Sequence, residues 1–173
     1  MKAVTLVTDG SCLVNPGPGG WACILRYGEK HKEIFGYHPA ATNNRMEMMA
    51  VIQGLLALKE RCAVTVISDS QYVINGITKW VKGWKRRGWW REQGPVLNAD
   101  LWMQLDELVA MHKMDWSWTR GHAGHHDNER CDELAQTAAR SQKSCLKDNL
   151  THLPLKYPWN FVPPKPGNNA RPL

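Results

Sequence analysis

The sequence predicts one α/β domain built around a mixed sheet. Strand patterns and helical patterns follow one another along most of the chain. Residues 21–26 and 32–37 predict an early hairpin, whereas the later strand patterns are separated by helical stretches, and this combination indicates a mixed sheet. At 173 residues the chain is long enough for a single domain with its own core.

The elements around the hairpin follow from local pattern. Residues 3–8 are an apolar run typical of a buried strand, and the glycines and prolines of residues 10–20 predict a loop. Val14 in this loop would be strained if its φ were positive. Thr42 is a suitable N-cap for a helix that we expect to run to about Glu60.

The second half of the chain repeats the alternation of strand and helix. Residues 64–68 predict a short β-branched strand, followed by a helix over about 70–82 that Gly76 weakens. Apolar residues at helical spacing predict an amphipathic helix over 99–112, and residues 114–119 predict a strand. The core should include three tryptophans: Trp102, Trp116 and Trp118.

The C-terminal part of the chain changes character. Residues 121–126 predict a flexible loop, and Asp127 is the expected cap of a last helix ending near Ser141. Six of the ten prolines follow in residues 141–173, without clear periodicity. We therefore expect a domain over 1–140 and a proline-rich tail over 141–173 that is disordered toward Asn168-Asn169. Aromatic side chains that would pin part of the tail to the body are Tyr157, Trp159 and Phe161.

Composition restricts the class of protein. No apolar stretch approaches the ~18 residues that a membrane-spanning helix needs, and the N-terminus has no signal-peptide layout. The five cysteines form no CxxC pair, which favours free thiols in a reducing compartment and disfavours zinc. We therefore expect a cytoplasmic protein that makes no contact with membranes. We also expect a monomer, because no long exposed apolar stripe is evident.

The positive charge is concentrated in one stretch, residues 79–97, which we call the basic excursion. Residues 79–91 contain six lysines and arginines and no acid, whereas the rest of the chain holds 16 basic and 16 acidic residues. Four of the nine tryptophans lie in the same stretch. A localised cationic patch with aromatic residues indicates a surface that binds a polyanion.

Four carboxylates occupy contexts that predict a shared site. Asp9 and Asp69 each end an apolar strand pattern, Glu47 lies early in a helical stretch, and Asp132 lies in the last helix. Buried acids at neighbouring strand ends repel one another unless a cation lies between them. Oxygen ligands of this kind suit Mg²⁺ or Mn²⁺, so the set points to metal-assisted phosphoryl chemistry.

Five motifs in register resemble bacterial ribonuclease H of type 1 over roughly residues 3–140. They are Thr8-Asp9-Gly10-Ser11-Cys12, Asn15-Pro16-Gly17-Pro18-Gly19-Gly20, Thr42-Asn43-Asn44-Arg45-Met46-Glu47, Thr65 to Gln71 with Asp69-Ser70, and Gly121-His122-Ala123-Gly124 through Asn128-Glu129-Arg130-Cys131-Asp132. The resemblance implies a five-stranded mixed sheet flanked by helices. It also implies a hydrolase that cuts the RNA strand of RNA–DNA hybrids internally and leaves 5′-phosphate and 3′-hydroxyl ends. Its cleavage would be largely independent of the base sequence.

The resemblance also assigns the catalytic groups. Asp9, Glu47, Asp69 and Asp132 would hold two Mg²⁺ ions, for which Mn²⁺ is a possible substitute. His122, on a glycine-flanked loop, would have an auxiliary role in proton transfer or product release.

The remaining matched positions divide between the two strands of the hybrid. Residues that would line the RNA strand and read its 2′-hydroxyl are Cys12, Asn15, Asn43, Asn44 and Gln71. Residues that would contact the DNA strand through its phosphates and sugars are Thr42, Asn98, Trp80, Trp84, Lys85, Arg86, Arg87 and Trp89.

Plainer interpretations stay open for single residues. Asp132 fits a solvated helix acid, and Glu47 fits the positive end of its helix. Some tryptophans of the basic excursion must pack it against the body. Acids that we interpret as ordinary surface residues are Asp100, Asp106, Glu107 and Asp115. Two other functions also stay open: a hybrid-binding module that does not cut, and another nuclease of the same architecture, such as a resolvase or integrase core.

Overall fold

A five-stranded mixed sheet forms the centre of the fold in this computed structural model, which describes residues 1–120 and 125–167. The strands are β1 (Lys2–Cys12), β2 (Gly17–Tyr27), β3 (Lys30–Ala41), β4 (Cys62–Ser68), β5 (Trp90–Arg91), β6 (Gly94–Pro95) and β7 (Lys113–Trp118). The main sheet has the order β3-β2-β1-β4-β7, and β5 and β6 form a separate ribbon. β1, β2 and β3 are antiparallel, whereas β4 pairs in parallel with β1 and β7. The predicted fold class is confirmed.

Helices cover both faces of the sheet. They are α1 (Asn43–Leu56), α2 (Gln71–Asn75), a π-helical turn (Gly76–Trp80), α3 (Val81–Arg86), α4 (Ala99–Val109), α5 (His126–Ser141) and a 3₁₀ turn (Lys147–Asn149). Leu6 of β1 packs in the larger core with α1 and α4, and its neighbour Val7 packs against α5. Successive strand residues point to opposite faces, so one strand contributes to both cores.

The predicted loop over residues 10–20 is too long, because much of it is strand. β1 continues through Cys12 and β2 begins at Gly17. A Cβ added at Gly10 would lie 2.2 Å from the carbonyl carbon of Met46, and one added at Gly20 would lie 2.1 Å from the carbonyl oxygen of Ala135. These two glycines therefore let α1 and α5 approach the sheet closely. Val14 does not have a positive φ, so the backbone strain considered for this position does not arise.

Three predicted helices differ in extent from the observed ones, and one of them, α4, ends at Val109 rather than at His112. α1 ends at Leu56, before the predicted end at Glu60. The helix predicted over 70–82 is divided by the π-helical turn that begins at Gly76, where an added Cβ would lie 1.9 Å from the Trp102 ring. Gly76 is thus required by the buried Trp102, which lies in the core as predicted.

The cap predicted for α5 is wrong by two residues. His125 caps the helix, and its Nδ1 accepts a hydrogen bond of 3.1 Å from the Asn128 amide. Asp127 instead forms an ion pair with Arg26 on β2, and the Nη2–Oδ1 distance is 2.8 Å. The hydrogen bond from Arg26 lowers the pKa of Asp127. The pair links α5 to the sheet.

Residues 142–167 run along the body of the protein and contain neither an α-helix nor a strand, only turns and the 3₁₀ turn at Lys147–Asn149. The Tyr37 amide donates a hydrogen bond of 3.2 Å to the Thr151 carbonyl, and Gln53 Oε1 accepts one of 2.7 Å from the Leu153 amide. The division into a domain over 1–140 and a tail over 141–173 stays a prediction, and Asn168-Asn169 lies outside the described residues. Within the described ranges, no helix has the length and apolar character needed to cross a membrane.

Candidate active site

Three of the four predicted carboxylates converge near the carboxyl ends of the neighbouring strands β1 and β4. Asp9 lies on β1, Glu47 on α1, and Asp69 directly after β4. One carboxylate oxygen from each residue lies within 4.8 Å of the other two. The three side chains together form what we call the acidic cluster.

The register of the sheet explains why the acids meet. Val7 of β1 is paired with Ile67 of the parallel strand β4. Asp9 and Asp69 each lie two residues further along, so the two side chains lie at the same level and on the same side of the sheet. Gly10 then lets the first turns of α1 approach β1, which brings Glu47 next to Asp9.

Burial and like charge act against full ionisation of the acidic cluster. Asp9 is only 4% exposed, and its Oδ1 accepts a hydrogen bond of 2.8 Å from the Gly10 amide. Burial, followed by the charge of Asp69, raises the pKa of Asp9 to about 7. Burial, followed by the charges of Asp9 and Asp69, also raises the pKa of Glu47 well above its usual value. Without a cation, Asp9 and Glu47 therefore hold their protons to a higher pH than ordinary carboxyl groups do.

Two oxygens of the acidic cluster lack hydrogen-bond donors. Glu47 Oε2 and Asp69 Oδ1 are buried, and neither accepts a hydrogen bond from any residue in 1–120 or 125–167. A buried carboxylate oxygen without a donor is costly. Oxygen-only ligands at this spacing fit a hard divalent cation, which would satisfy both oxygens. The acidic cluster is therefore suited to hold a metal ion.

Asp132 lies beside the acidic cluster rather than in it. Its half-buried carboxylate on α5 accepts hydrogen bonds of 3.0 and 2.9 Å from Gln136 Nε2. Its charge also contributes to the raised pKa of Asp9. His122, the predicted auxiliary residue, lies outside the described residues.

Three of the predicted RNA-side residues join the start of α1 to β1 and the turn after it. Asn43 Oδ1 accepts a hydrogen bond of 2.8 Å from the Cys12 amide. The Asn43 amide donates one of 3.1 Å to Asn15 Oδ1. Asn43 lies one turn before Glu47 on the same helix. These bonds therefore hold the backbone of Cys12 and the side chain of Asn15 close to the acidic cluster.

An open cavity of about 430 Å³ adjoins the acidic cluster. It is lined by Asn43, Asn44, Glu47, Asp69, Ser70, Gln71, Tyr72 and Trp118. Trp118, which we predicted in the core, is 45% exposed here, and its Nε1 donates a hydrogen bond of 3.1 Å to the Asp69 carbonyl. Its place at the end of a parallel strand was the available signal, because such strand ends commonly carry ligand sites.

A buried ion pair that the sequence analysis missed joins two of the predicted DNA-side residues. Thr42 Oγ1 accepts a hydrogen bond of 3.2 Å from the Arg45 amide, and Arg45 Nη1 donates one of 3.1 Å to Asn98 Oδ1. Arg45 also pairs through both Nη atoms with Asp100, at 2.8 and 2.7 Å. The prediction of Asp100 as a surface acid is wrong, since it is 3% exposed.

The tryptophans of the basic excursion form a chain from the core to the surface. Trp84 lies 5.7 Å from both the buried Trp102 and the exposed Trp80, measured between ring centroids. Trp89 is buried, so little of its ring is available to a ligand. Trp90 is half-buried, and its Nε1 donates a hydrogen bond of 2.9 Å to the Pro163 carbonyl. These ring contacts anchor the basic excursion to the domain and leave the Trp80 ring accessible.

The cations of the basic excursion remain mostly at the surface. Arg86 and Arg87 are exposed. Lys85 forms an ion pair of 3.0 Å with Asp106 of α4, and both side chains are partly in water. An open cavity of about 430 Å³ lies between the aromatic and cationic residues Trp80, Trp84, Lys79 and Arg87. The excursion thus presents apolar rings and positive charge together.

Comparison with other proteins places the chain in a family. The family model described as RNase H matches residues 1–140. Ribonuclease H of Solibacter usitatus is 58% identical over 143 residues, covering 82% of this chain and 98% of that protein. Ribonuclease HI of Neisseria meningitidis serogroup B is 53% identical over 139 residues, covering 80% of this chain and 96% of that protein.

Solved structures agree with the sequence comparisons. LC9-RNase H1, described as a type 1 RNase H with the type 2 active-site motif, superimposes with a TM-score of 0.77 at 35% identity, covering 84% of this chain and 75% of that chain. The N-terminal RNase H domain of a Mycobacterium tuberculosis protein shares the fold, with a TM-score of 0.64 at 24% identity, and covers 82% of this chain and 96% of that chain. This chain therefore belongs to the ribonuclease H family of hydrolases.

Proposed function

We propose that this protein hydrolyses the RNA strand of RNA–DNA hybrids at the acidic cluster. The observation that carries the proposal is that one carboxylate oxygen each of Asp9, Glu47 and Asp69 lies within 4.8 Å of the other two, and that two buried oxygens of the cluster have no donor among the described residues. Membership of the family and relatives named Ribonuclease H support the same reaction. The products are proposed to carry 5′-phosphate and 3′-hydroxyl ends.

Asp9, Glu47, Asp69 and Asp132 would hold two divalent cations, Mg²⁺ by preference, with Mn²⁺ as a substitute. When bound, such ions activate water and stabilise the leaving oxygen of a phosphodiester. Asp9 would be the central residue of this set, because it neighbours Glu47 and Asp69 and the charge of Asp132 contributes to its raised pKa. His122 is proposed to assist by moving a proton or releasing product.

The RNA strand is proposed to lie along the cavity beside the acidic cluster. Side-chain amides both donate and accept hydrogen bonds, so they can read a 2′-hydroxyl. Asn44 and Gln71 line this cavity, and Asn43 holds the Cys12 amide and Asn15 next to it. These contacts would place the RNA backbone over the carboxylates.

The DNA strand is proposed to lie on the basic excursion and on the Arg45 network. Thr42 and Asn98 would contact one phosphate, and Lys85, Arg86 and Arg87 would meet others. Trp80 and Trp84 would offer ring faces to sugars, and Trp89 would support them from the core. Because none of these contacts reads a base, we propose cleavage that is largely independent of sequence. The chain is further proposed to act as a cytoplasmic monomer, with its five free cysteines reduced.

A strand-labelled cleavage assay tests the proposal. An RNA–DNA hybrid is compared with RNA–RNA and DNA–DNA duplexes of the same sequence, with Mg²⁺ and with EDTA. We expect loss of the RNA strand of the hybrid alone, only with Mg²⁺, and products that a 3′-hydroxyl-dependent polymerase extends. Binding of the hybrid without cutting would instead identify a non-cleaving module, and cutting of DNA would identify another nuclease of this architecture.

A further inference from the structure

Residues 158–166 form a strap that runs from β3 and α1 to the basic excursion. The match to the family model ends at residue 140, so the strap lies outside it. Its Trp159 ring stacks on His38, with a centroid separation of 4.1 Å, and the Arg45 guanidinium lies over the same ring at 4.1 Å. Trp159 therefore anchors the first half of the strap to β3 and to the first turn of α1.

A buried carboxylate holds the next residue of the strap. The Asn160 amide donates a hydrogen bond of 2.8 Å to Asp100 Oδ2, which also accepts a hydrogen bond from Arg45. Hydrogen bonds to an ionised acceptor are stronger than those between neutral groups. The first half of the strap is thus fixed to β3, α1 and α4 before the chain reaches the basic excursion.

The second half of the strap contacts the part of the basic excursion that follows α3. Trp90 Nε1 donates a hydrogen bond of 2.9 Å to the carbonyl of Pro163, which is buried. Lys165 Nζ lies 6.0 Å from the centroid of the same indole ring. A Cβ added at Gly88 would lie 2.7 Å from Pro166 Cγ, so the strap and the excursion are in close contact at this point.

This part of the excursion, residues 88–96, has little regular structure of its own. β5 and β6 contain two residues each, and a ribbon of this size is not stable without packing against other elements. Gly88 and Trp89 have positive φ, at 66° and 67°, and for Trp89 this conformation persists only where the surroundings hold it. The orientation of residues 88–96 therefore depends on the body, which buries Trp89 and Val96, and on the strap, which holds Trp90.

We propose that the strap is a brace that holds residues 88–96, and with them the end of α3, in the orientation in which the basic excursion binds its substrate. Trp159 and Trp90 are then positioning residues, because each acts through the segment that it holds. The inference rests on the proposed function, which gives the basic excursion a part in binding the hybrid. A segment that is ordered before binding loses less conformational entropy on binding. The brace should therefore raise the affinity for the hybrid and leave the chemical step unchanged.

Hydrogen exchange of the free protein tests whether the strap holds the segment. Trp90→Phe keeps a ring but removes the donor to Pro163, and Trp159→Ala removes the anchor at the other end of the strap. Trp116→Phe is the control, because Trp116 is also half-buried and lies on β7, at the opposite edge of the main sheet from β3. We expect the backbone amides of residues 88–96 to exchange about tenfold faster in the first two variants and at the wild-type rate in the control.

Two results of the exchange experiment would overturn the proposal. One is wild-type exchange of residues 88–96 in Trp159→Ala, because the distant anchor would then have no effect on the segment. If Trp159→Ala does not fold, the comparison of Trp90→Phe with Trp116→Phe decides the same question. Equal exchange of residues 88–96 in these two variants is the second contradicting result.

Single-turnover cleavage separates binding from chemistry. We expect the protein concentration that gives half the maximal rate to rise about three- to tenfold in Trp90→Phe and in Trp159→Ala, with an unchanged maximal rate constant. Trp159→Phe keeps an aromatic ring against His38 and Arg45, so it should restore most of the affinity. A lower maximal rate constant with unchanged half-saturation would contradict the proposal, since the strap would then act on the chemical step.

The double variant of Trp90→Phe and Trp159→Ala tests whether the two residues act through one brace. If they do, the second substitution adds little to the first, and half-saturation of the double variant stays close to that of the more affected single variant. If the two single effects multiply instead, the tryptophans act independently and the strap is not a brace.

Failure of this inference differs from failure of the proposed function. If the wild-type protein cuts hybrid RNA but the strap variants match Trp116→Phe in exchange and in half-saturation, then only the brace is wrong. If the wild-type protein neither binds nor cuts hybrids, then the proposed function fails, and the positioning role of the strap fails with it.

Discussion

Asp9 and Asp100 are buried to the same extent, at 4% and 3% exposure, but their surroundings are opposite. Asp100 accepts two hydrogen bonds from the Arg45 guanidinium and one from the Asn160 amide. Asp9 has two further acids beside it and accepts a hydrogen bond from the Gly10 amide. Burial therefore does not distinguish an acid that stabilises the fold from one that is available to a ligand; the neighbouring groups do.

The same substitution should destabilise the protein at position 100 but not at position 9, and this is the largest effect on stability that we expect. Asp100→Asn leaves the Arg45 charge buried without its counter-ion, which should lower the free energy of unfolding by about 3–5 kcal/mol. Asp9→Asn removes like-charge repulsion, so in EDTA at pH 7.5 it should leave stability unchanged or raise it. Urea unfolding of both variants and of wild type measures the difference.

A control keeps this comparison specific. Glu29→Gln removes an acid from the exposed turn between β2 and β3 and should change stability by less than about 0.5 kcal/mol. If Asp9→Asn destabilises the metal-free protein as much as Asp100→Asn does, then Asp9 is a structural acid and the contrast between the two sites is wrong.

Asp132 provides an intermediate case, because it lies beside the acidic cluster and is only half-buried. Its carboxylate accepts hydrogen bonds from Gln136, which a neutral amide at position 132 can partly keep. Asp132→Asn should lower the rate of hybrid cleavage by about 10- to 100-fold, less than substitution of an acid in the cluster. The rates of single-turnover cleavage by Asp132→Asn and by Asp9→Asn measure the two losses. A loss as large as that of Asp9→Asn would place Asp132 among the essential ligands.

The smallest difference that we expect is between the pH dependence of stability of wild type and that of Asp9→Asn. The pKa of Asp9 is raised to about 7 in the folded protein from 3.8, so the folded state binds more protons than the unfolded state between these values. In EDTA, this residue lowers stability as the pH rises from about 4 to 7. The free energy of unfolding of wild type should therefore fall over this pH range by more than about 1 kcal/mol beyond the fall seen for Asp9→Asn.

Added Mg²⁺ provides the check on that difference. Binding to the folded state should restore stability to wild type near pH 7 and should do much less for Asp9→Asn. Identical pH curves for the two proteins in EDTA would mean that Asp9 is not held in a repulsive setting.

The sequence was sufficient to predict the mixed sheet and the position of most elements, because apolar runs and helical spacing reflect burial directly. It misjudged residues 10–20, because glycine marks both turns and close packing. Gly10 and Gly20 serve close packing of helices on the sheet, which a pattern along the chain cannot distinguish from a turn.

The convergence of Asp9, Glu47 and Asp69 was predictable because strand ends and a helix start are local features. The role of Arg45 and Asp100 was not, since their pairing spans 55 positions of the chain and depends on how α1 meets α4. The contacts of residues 158–166 with the body are also long-range, although the aromatic residue Trp159 in a proline-rich segment correctly predicted an anchor. Trp118 was misplaced because alternation along β7 does not reveal that the strand ends beside the site.

The most direct test of the central claim measures cleavage and binding on the same preparations of wild type and Asp9→Asn. If the acidic cluster holds the catalytic cations, Asp9→Asn should lose Mg²⁺-dependent cleavage of hybrid RNA by at least about 10³-fold and still bind the hybrid with nearly wild-type affinity. Substantial cleavage by Asp9→Asn would contradict the account, because the reaction would then proceed without the acid at the centre of the cluster.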